Sequence, residues 1–429
     1  MFSKAQKVAA ALFLLAPLIA QAATLPAPAL ANSPGQSIHF VKGNTKDLDL
    51  MAAAGVKVVR ADFKWDAIES QKGVYNWAPY DELVNNLTAR GMRPYFILDY
   101  SNALYEEVRI LTQNGVPYAA YIDAPNSPSS VAGFSAWAKA AALRYKSKNV
   151  IWEIWNEPNM AAFWKPTPNV VDYTTLTTAT CNAIHSVAPN AVVVGGAIAG
   201  LDWNYLYAYL GAGVLDCIDA VSVHAYRWDV PETVDAEFQY LQWVIGQLTP
   251  ASRSTPIPLI SGEWGYPTFT NAYPLDLQAA YAVRMQLNNL LNNVPISIWY
   301  DWKNNGTDAS NKEHNFGIVT ATLGLKPAYY ALKTLSQQLG SYKLVNRVAT
   351  ANSQDYILIF ANAAGKKKAV AWTTGANYTT SILPDMTSNN VRATVVSMLG
   401  TSSVAQIGAA GLPITLSFTP QYIDLSLLP

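Results

Sequence analysis

The chain has 429 residues, of which 51% are hydrophobic and 14% charged; this is the profile of a folded protein with a large core, not of a disordered tail. Lysine plus arginine (29) equals aspartate plus glutamate (29). No global field therefore draws the chain to nucleic acid, an anionic membrane or an acidic polymer, and a neutral partner is expected.

In chain order, Lys4 and Lys7 precede the apolar run Val8 to Ala20, and Ala20-Gln21-Ala22 puts small residues where a signal peptidase reads them. Residues 1–22 are expected to be a cleaved secretion signal, which places the mature chain in the periplasm or outside the cell. The run falls short of the roughly 20 apolar residues of a spanning helix, so no integral span is expected after cleavage; an uncleaved anchor is the alternative. Cys181 and Cys217 are the only cysteines. An oxidising compartment would let them pair, but a core of this size does not depend on the bond, and both states stay open.

Short apolar runs then alternate with helical patterns. "SIHFV" and "VKVVRAD" lead to "WAPYDELVNNLTARG", where Tyr80, Leu83, Val84 and Leu87 mark one helical face and Gly91 stops it. "MRPYFILDY" is a strand, Ser101 to Ser129 a long Tyr- and Pro-rich loop, and "VAGFSAWAKAAALRY" a helix. Next come the strands "NVIWEIW", "AVVVGG", "AVSVHAY", "PIPLISGEW" and "ISIWYDW". Helices are expected near 170–187, 203–210, 234–248, 275–291 and 327–339. Strands buried on both faces and separated by helices imply parallel pairing with right-handed crossovers. Eight such units close a (β/α)8 TIM barrel, expected over residues 23–340. The rival, a doubly wound open sheet, announces itself by a phosphate loop, and neither GxGxxG nor GxxxxGK occurs.

Beyond 340, "DYILIFAN", "KKKAVAWTT", "VRATVVSML" and "ITLSF" are short, β-branched and separated by turn-rich pieces. Residues 341–429 are expected to form a small antiparallel β-sandwich domain. Lys366, Lys367 and Lys368 fall at a hairpin turn, read as a solvated loop and not a binding patch. The aromatic residues of this region lie mostly within strands, which suits a structural buttress more than a sugar-binding module.

In such a barrel the chemistry sits at the C-terminal strand ends, where Glu157 closes strand 4 and Glu263 strand 7. Two carboxylates across one mouth are what glycoside hydrolysis requires: one acid to protonate the leaving oxygen, one carboxylate to attack or to activate water. Either glutamate alone could be a strand-end group capping the next helix, but the recurrence in matching positions weakens that explanation. The four histidines, His39, His185, His224 and His314, form no HExxH, and no GxSxG elbow occurs. No metal and no cofactor are expected.

"IWEIWNEPN", followed three strands later by "LISGEWG", resembles the retaining glycoside hydrolases of clan A, and with "NFGIV" before "KPAYYAL" it is most similar to family 39, including its bacterial exopolysaccharide hydrolases. The resemblance covers the barrel. It implies that Glu157 is the acid/base and Glu263 the nucleophile, that Arg60 is the arginine holding the nucleophile ionised, and that Asn156 donates to the sugar 2-hydroxyl. It further implies that His224 and Tyr226 orient the nucleophile and that Trp299 forms the floor of the sugar site.

Trp65, Tyr100, Trp164, Trp264 and Trp302 each follow a strand end and are expected as stacking platforms, although any one could equally be core. Asp99, closing strand 3, could bind a sugar hydroxyl or cap a turn. The expected function is a monomeric, secreted retaining β-glycosidase cutting inside a polysaccharide, with an exopolysaccharide or biofilm matrix favoured. The alternatives are a β-xylosidase, β-glucanase or β-mannanase of the same clan, a transglycosylase, or a barrel that binds oligosaccharide without cutting it.

Overall fold

The computed structural model describes residues 25–382, 392–408 and 410–426; the expected signal segment, 1–22, lies outside them. Eight strands form one closed barrel: β1 (Pro34–Ile38), β2 (Val58–Lys64), β3 (Arg93–Asp99), β4 (Ile151–Ile154), β5 (Val192–Ala199), β6 (Ala220–His224), β7 (Leu259–Trp264) and β8 (Ser297–Trp299). Each is parallel to its neighbours, and β1 pairs with both β2 and β8, which closes the ring. Helices lie between them, the longest at Pro128–Tyr145 and Leu275–Leu291. No described helix is long and apolar enough to cross a membrane.

Side chains alternate across a strand, and this parity organises the barrel. Val58, Tyr95, Ile151, Val192, Val194, Ala220, Ile260, Ile296 and Ile298 make the interior cluster. Their neighbours Val59, Phe96, Trp152, Val193, Val221, Leu259 and Trp299 join the core shared with the helices. Two irregularities break the rule, and both serve the mouth. Between Ser261 and Trp264 β7 carries one residue more than β8, and between Ser222 and Val223 of β6 the pairing to β5 skips Ala197, whose φ is 49°; such bulges re-aim side chains.

Three local features go beyond the elements expected from the sequence. A helix at Thr45–Ala54 follows β1, burying Leu48, Met51 and Ala54. β1 ends at Ile38, so His39 stands just beyond the strand, at the mouth. The stretch read as a loop after β3 contains a two-stranded hairpin, Val108–Gln113 with Val116–Ile122, turned by Asn114 and Gly115, both left-handed. Asn-Gly at a two-residue turn is a recognised hairpin signal.

After the helix Pro327–Leu339, the described residues form eight antiparallel strands: β9 (Tyr342–Arg347), β10 (Asp355–Asn362), β11 (Lys367–Thr373), β12 (Tyr378–Ile382), β13 (Arg392–Ser397), β14 (Ser402–Gln406), β15 (Leu412–Leu416) and β16 (Gln421–Asp424). Six make a sheet in the order β9-β10-β11-β16-β13-β14, and β12 pairs with β15. One face of the large sheet, with Ile357, Ile359, Ala369, Ala371 and Ile423, packs on Ile382, Leu412, Ile414 and Leu416 of the pair. The other face, with Tyr356, Leu358, Phe360, Val370, Trp372 and Tyr422, joins the barrel core. The Trp372 indole also donates to Glu232, which receives both arms of the buried Arg284. Its large rings are thus spent on the seam. Lys368 departs from the solvated turn expected of it: its ammonium donates to the Gln338 carbonyl and amide oxygens on the last barrel helix.

Cys181, on the helix Val170–His185, is bonded to Cys217, ahead of β6, across 36 residues of sequence. Closing a loop of that length removes unfolded-state entropy. Cys217→Ser is expected to lower the unfolding free energy by about 2–4 kcal/mol; urea unfolding with and without reductant measures it, and equal midpoints would show that the bond adds nothing.

Candidate active site

The mouth is built on Arg60. It points inward from β2, buried, and its guanidinium has one ligand on each side: Nε donates to Glu153 (2.7 Å), Nη1 to Glu263 (2.6 Å) and Nη2 to Asn156 (2.9 Å). Burial opposes the charge, but the carboxylates of Glu153 and Glu263 outweigh it and push the Arg60 pKa further up. Glu153, which also accepts from the Tyr95 hydroxyl at 2.8 Å, was not singled out from sequence. Its signal was an ionisable residue on the inward parity of an apolar strand. A Cβ at Gly262 would fall 2.0 Å from the Ser222 hydroxyl, so any larger residue beneath Glu263 has to displace that hydroxyl.

Glu263 reaches the mouth through the β7 bulge; without it, parity would turn the residue toward the helices. Its Oε2 takes the Arg60 bond and its Oε1 accepts from the Tyr226 hydroxyl at 2.8 Å. Glu157 is aimed by a different device. Neighbouring residues of a strand point to opposite faces, yet Asn156 and Glu157 both reach the mouth, because Trp155 and Glu157 take left-handed φ values of 67° and 47°. Such values cost free energy in non-glycine residues and persist where surroundings fix them. Here the Glu157 amide donates to the carbonyl of bulged Ala197, and the Trp155 amide to Leu98.

His224 was expected to orient Glu263. It instead meets Glu157, with Nδ1 2.8 Å from Oε1, while its Nε2 lies 3.3 Å from Nη2 of Arg60. A guanidinium can only donate. Nε2 therefore accepts, the proton of the neutral ring sits on Nδ1, and it points at Glu157. Fully buried, His224 cannot itself touch a substrate.

Ligating atoms of Glu157, His224 and Glu263 lie within 4.8 Å of one another. Three such atoms could hold a cation, but the Arg60 guanidinium already supplies the positive charge between Glu263 and His224. A carboxyl separation of about 5–5.5 Å suits direct attack, whereas about 6.5–9.5 Å is needed to admit a water. One oxygen of each glutamate lies within 4.8 Å of the other's, an approach compatible with direct attack.

Two cavities meet at Glu263. The smaller, about 230 Å³, is walled by His39, Arg60, Asp62, Tyr100, Asn156 and Tyr300. The larger, about 490 Å³, contains Glu157, Tyr226, Trp228, Lys312, Glu313 and Phe316. Phe163 and Tyr300 line both, and Glu157 only the larger. At the edge of the small cavity His39 pairs with buried Asp301 at 3.1 Å. Burial lowers the His39 pKa, but the Asp301 hydrogen bond and charge prevail and raise it, favouring the imidazolium. Asp99 neither faces the cavity nor accepts a hydrogen bond there. It is buried behind Asp62, and burial together with the Asp62 charge raises its pKa well above the carboxylate range.

The aromatic residues mostly fall elsewhere than expected. Trp299 is fully buried among the helices, its indole near the Phe316 carbonyl; since Ile298 belongs to the interior, parity hands the floor position to Tyr300. Trp65 is buried against Tyr105 and Trp137 and donates to Glu69. Trp302 donates to Asp47, and Trp264, one residue past Glu263, faces the core, as does Trp164. None of these four is a platform. Of the rings expected to stack, Tyr100 alone lines the cleft, parallel to Phe163 at 6.0 Å. The rim ring missed from sequence is Trp228, 64% exposed and stacked on Tyr273.

Among the proteins this chain resembles are one enzyme matched by sequence and two solved structures. A Geobacillus stearothermophilus β-xylosidase is 36% identical over 92 residues, which span 21% of this chain and 18% of that enzyme. A family 39 glycoside hydrolase from Bacteroides cellulosilyticus WH2 superposes with a TM-score of 0.77 at 24% identity, covering 92% of this chain and 81% of that one. The Caulobacter crescentus family 39 β-xylosidase gives 0.63 at 16%, covering 94% and 97%. At these identities the two structures show a shared fold. The family model of cellulases (glycosyl hydrolase family 5) matches residues 22–306, and so the chain belongs to the clan A glycoside hydrolases through that family.

Proposed function

We propose that the protein is a secreted retaining β-glycosidase that cuts inside a polysaccharide, an exopolysaccharide or a xylan-type chain. The observation that carries this is the approach of one carboxylate oxygen of Glu157 to one of Glu263, within 4.8 Å across the mouth. Glu263, paired with Arg60 and aligned by Tyr226, attacks the anomeric carbon of a sugar in the small cavity. Glu157, with His224 on Oε1, gives the proton on its other oxygen to the leaving oxygen in the large cavity. The glycosyl-enzyme ester that forms on Glu263 neutralises that carboxylate. Glu157, now deprotonated, takes a proton from an incoming water, which attacks the same carbon and releases Glu263. Asn156 faces the small cavity, suited to the 2-hydroxyl.

Chain cutting is supported by the size of the large cavity and by Trp228 and Tyr273 at its rim, room for more than one leaving-group sugar. A β-xylan link is supported by the named activity of the Geobacillus and Caulobacter relatives, the exopolysaccharide by the motif likeness. Export is supported by the sequence of residues 1–22 and suits the Cys181–Cys217 bond. The test is a panel of defined polysaccharides with sizing of products and NMR of the first anomer released. A ladder of β-anomeric oligosaccharides is expected; the α-anomer appearing first from a β-linked substrate would overturn the retaining mechanism, and monosaccharide alone would overturn internal cutting.

His224→Ala leaves Glu157 unaligned as an acid. Proton donation contributes about 10²–10⁴-fold, so hydrolysis of glycosides with poor leaving groups is expected to fall about 10²-fold, while dinitrophenyl glycosides, which need no protonation, should be cleaved nearly as before in the first step. Equal losses for both classes would show that His224 does not act through Glu157.

A further inference from the structure

On the outer wall of the barrel, four aromatic residues form one connected surface strip. Trp203 and Tyr207 lie on the helix Trp203–Gly211, Tyr240 and Trp243 on the helix Asp235–Leu248. Tyr207, Tyr240 and Trp243 are 42%, 44% and 57% exposed. Trp203 packs on Tyr207 at 6.1 Å and on Tyr240 at 5.1 Å, and the rings of Tyr240 and Trp243 lie within 16° of parallel at 5.7 Å. The Tyr207 and Tyr240 hydroxyls are hydrogen-bonded to each other at 2.6 Å, which locks the two helices' rings into one array. Burying none of this surface is costly unless it has a use: rings of this size are normally spent on a core or an interface.

We propose that this strip is a second carbohydrate-binding site, which holds a neutral polysaccharide chain away from the catalytic cleft; the choice of ligand rests on the glycosidase reading above. Charge decides against other partners. None of the exposed positions of the two helices carries a charge, and the partly exposed carboxylate of Glu237 is paired with Arg227 at 2.8 Å. A nucleic acid or an anionic membrane would ask for lysines and arginines here. Flat rings with exposed Asn204 and Gln247 on the same helices instead offer stacking faces with uncharged donors and acceptors, the complement of a sugar's apolar face and hydroxyl edge. The position also fits. Ala199 and Gly200, at the start of the loop that enters Trp203, line the large cavity, and so do Tyr226, Arg227 and Trp228, whose loop leads into the second helix. Both helices of the strip therefore descend from the leaving-group side of the cleft. A chain held there raises the local concentration of its own cleavable bonds at the mouth.

The test uses the full-length protein and affinity electrophoresis in gels containing soluble xylan, mixed-linkage β-glucan or glucomannan. At least one polysaccharide should retard the wild type, and Tyr240→Ala/Trp243→Ala should weaken that retardation about tenfold, equivalent to about 1.4 kcal/mol, while Trp243→Phe keeps most of it. Hydrolysis of aryl glycosides should be unchanged in both variants, and KM for the retarding polysaccharide should rise several-fold in the double variant. Unchanged retardation in the double variant, or none of the wild type by any of the three, overturns the site, and so does a shift in oligomeric state on mutation without any effect on retardation. Cleavage of aryl glycosides by the wild type reports separately on the glycosidase reading, so the two can fail independently.

Discussion

Glu263→Ala is expected to lower turnover by about 10⁴–10⁶-fold, the scale on which loss of an essential nucleophile is felt, or about 5–8 kcal/mol of barrier. Azide should restore cleavage of activated substrates, because the small anion fits where the carboxylate stood, and it should yield the α-azide by a single inversion. The matching variant at Glu157 behaves differently: its first step survives with good leaving groups, the glycosyl-enzyme accumulates, and azide attacks that ester to give the β-azide. The two product anomers, read by NMR, separate the roles. An α-azide from the position 157 variant would exchange the assignments, and azide without effect on either variant would remove the covalent intermediate from the mechanism.

Arg60→Met should be the second most damaging change, and it damages the fold as well as the chemistry. Glu153 is fully buried and Glu263 partly so, and breaking a buried pair such as Arg60–Glu153 by removing one partner costs about 3–5 kcal/mol because the other charge is left uncompensated. Two carboxylates lose their cation here. Arg60→Lys should rescue poorly, since a point charge cannot serve Glu153, Glu263 and Asn156 from one planar fork. Adding Glu153→Gln to Arg60→Met should recover part of the stability and none of the activity, because it removes one orphaned charge and leaves Glu263 unsupported. Urea unfolding and turnover, measured on the same preparations, decide it; a singly substituted Arg60→Met as stable as the wild type would show that the guanidinium is not the keystone of the mouth.

The order of strands and helices was legible in the sequence because each is a local pattern. Apolar runs of the right length, β-branched residues and helical spacing name an element without reference to its neighbours, and all eight barrel strands were found that way. Glu157 and Glu263 were legible for the same reason: each is a charge at the end of an apolar run, and strand ends are where barrel chemistry collects. The direction in which a side chain leaves a strand is a different matter. It depends on parity, and parity depends on register between neighbouring strands, which no single strand records. The extra residue of β7 turns Glu263 into the mouth and Trp264 out of it, and the parity of β8 gives the cleft Tyr300 and gives the core Trp299. The same limit hid Glu153, His39 and Trp228, whose roles come from partners 93 residues away in Arg60, 262 residues away in Asp301 and 45 residues away in Tyr273. What the sequence determined by itself was which barrel strands form and which strand ends carry charge, since both are properties of contiguous residues; which rings meet a sugar, and which atom of His224 meets which glutamate, was decided only when the barrel closed and set the strands in register.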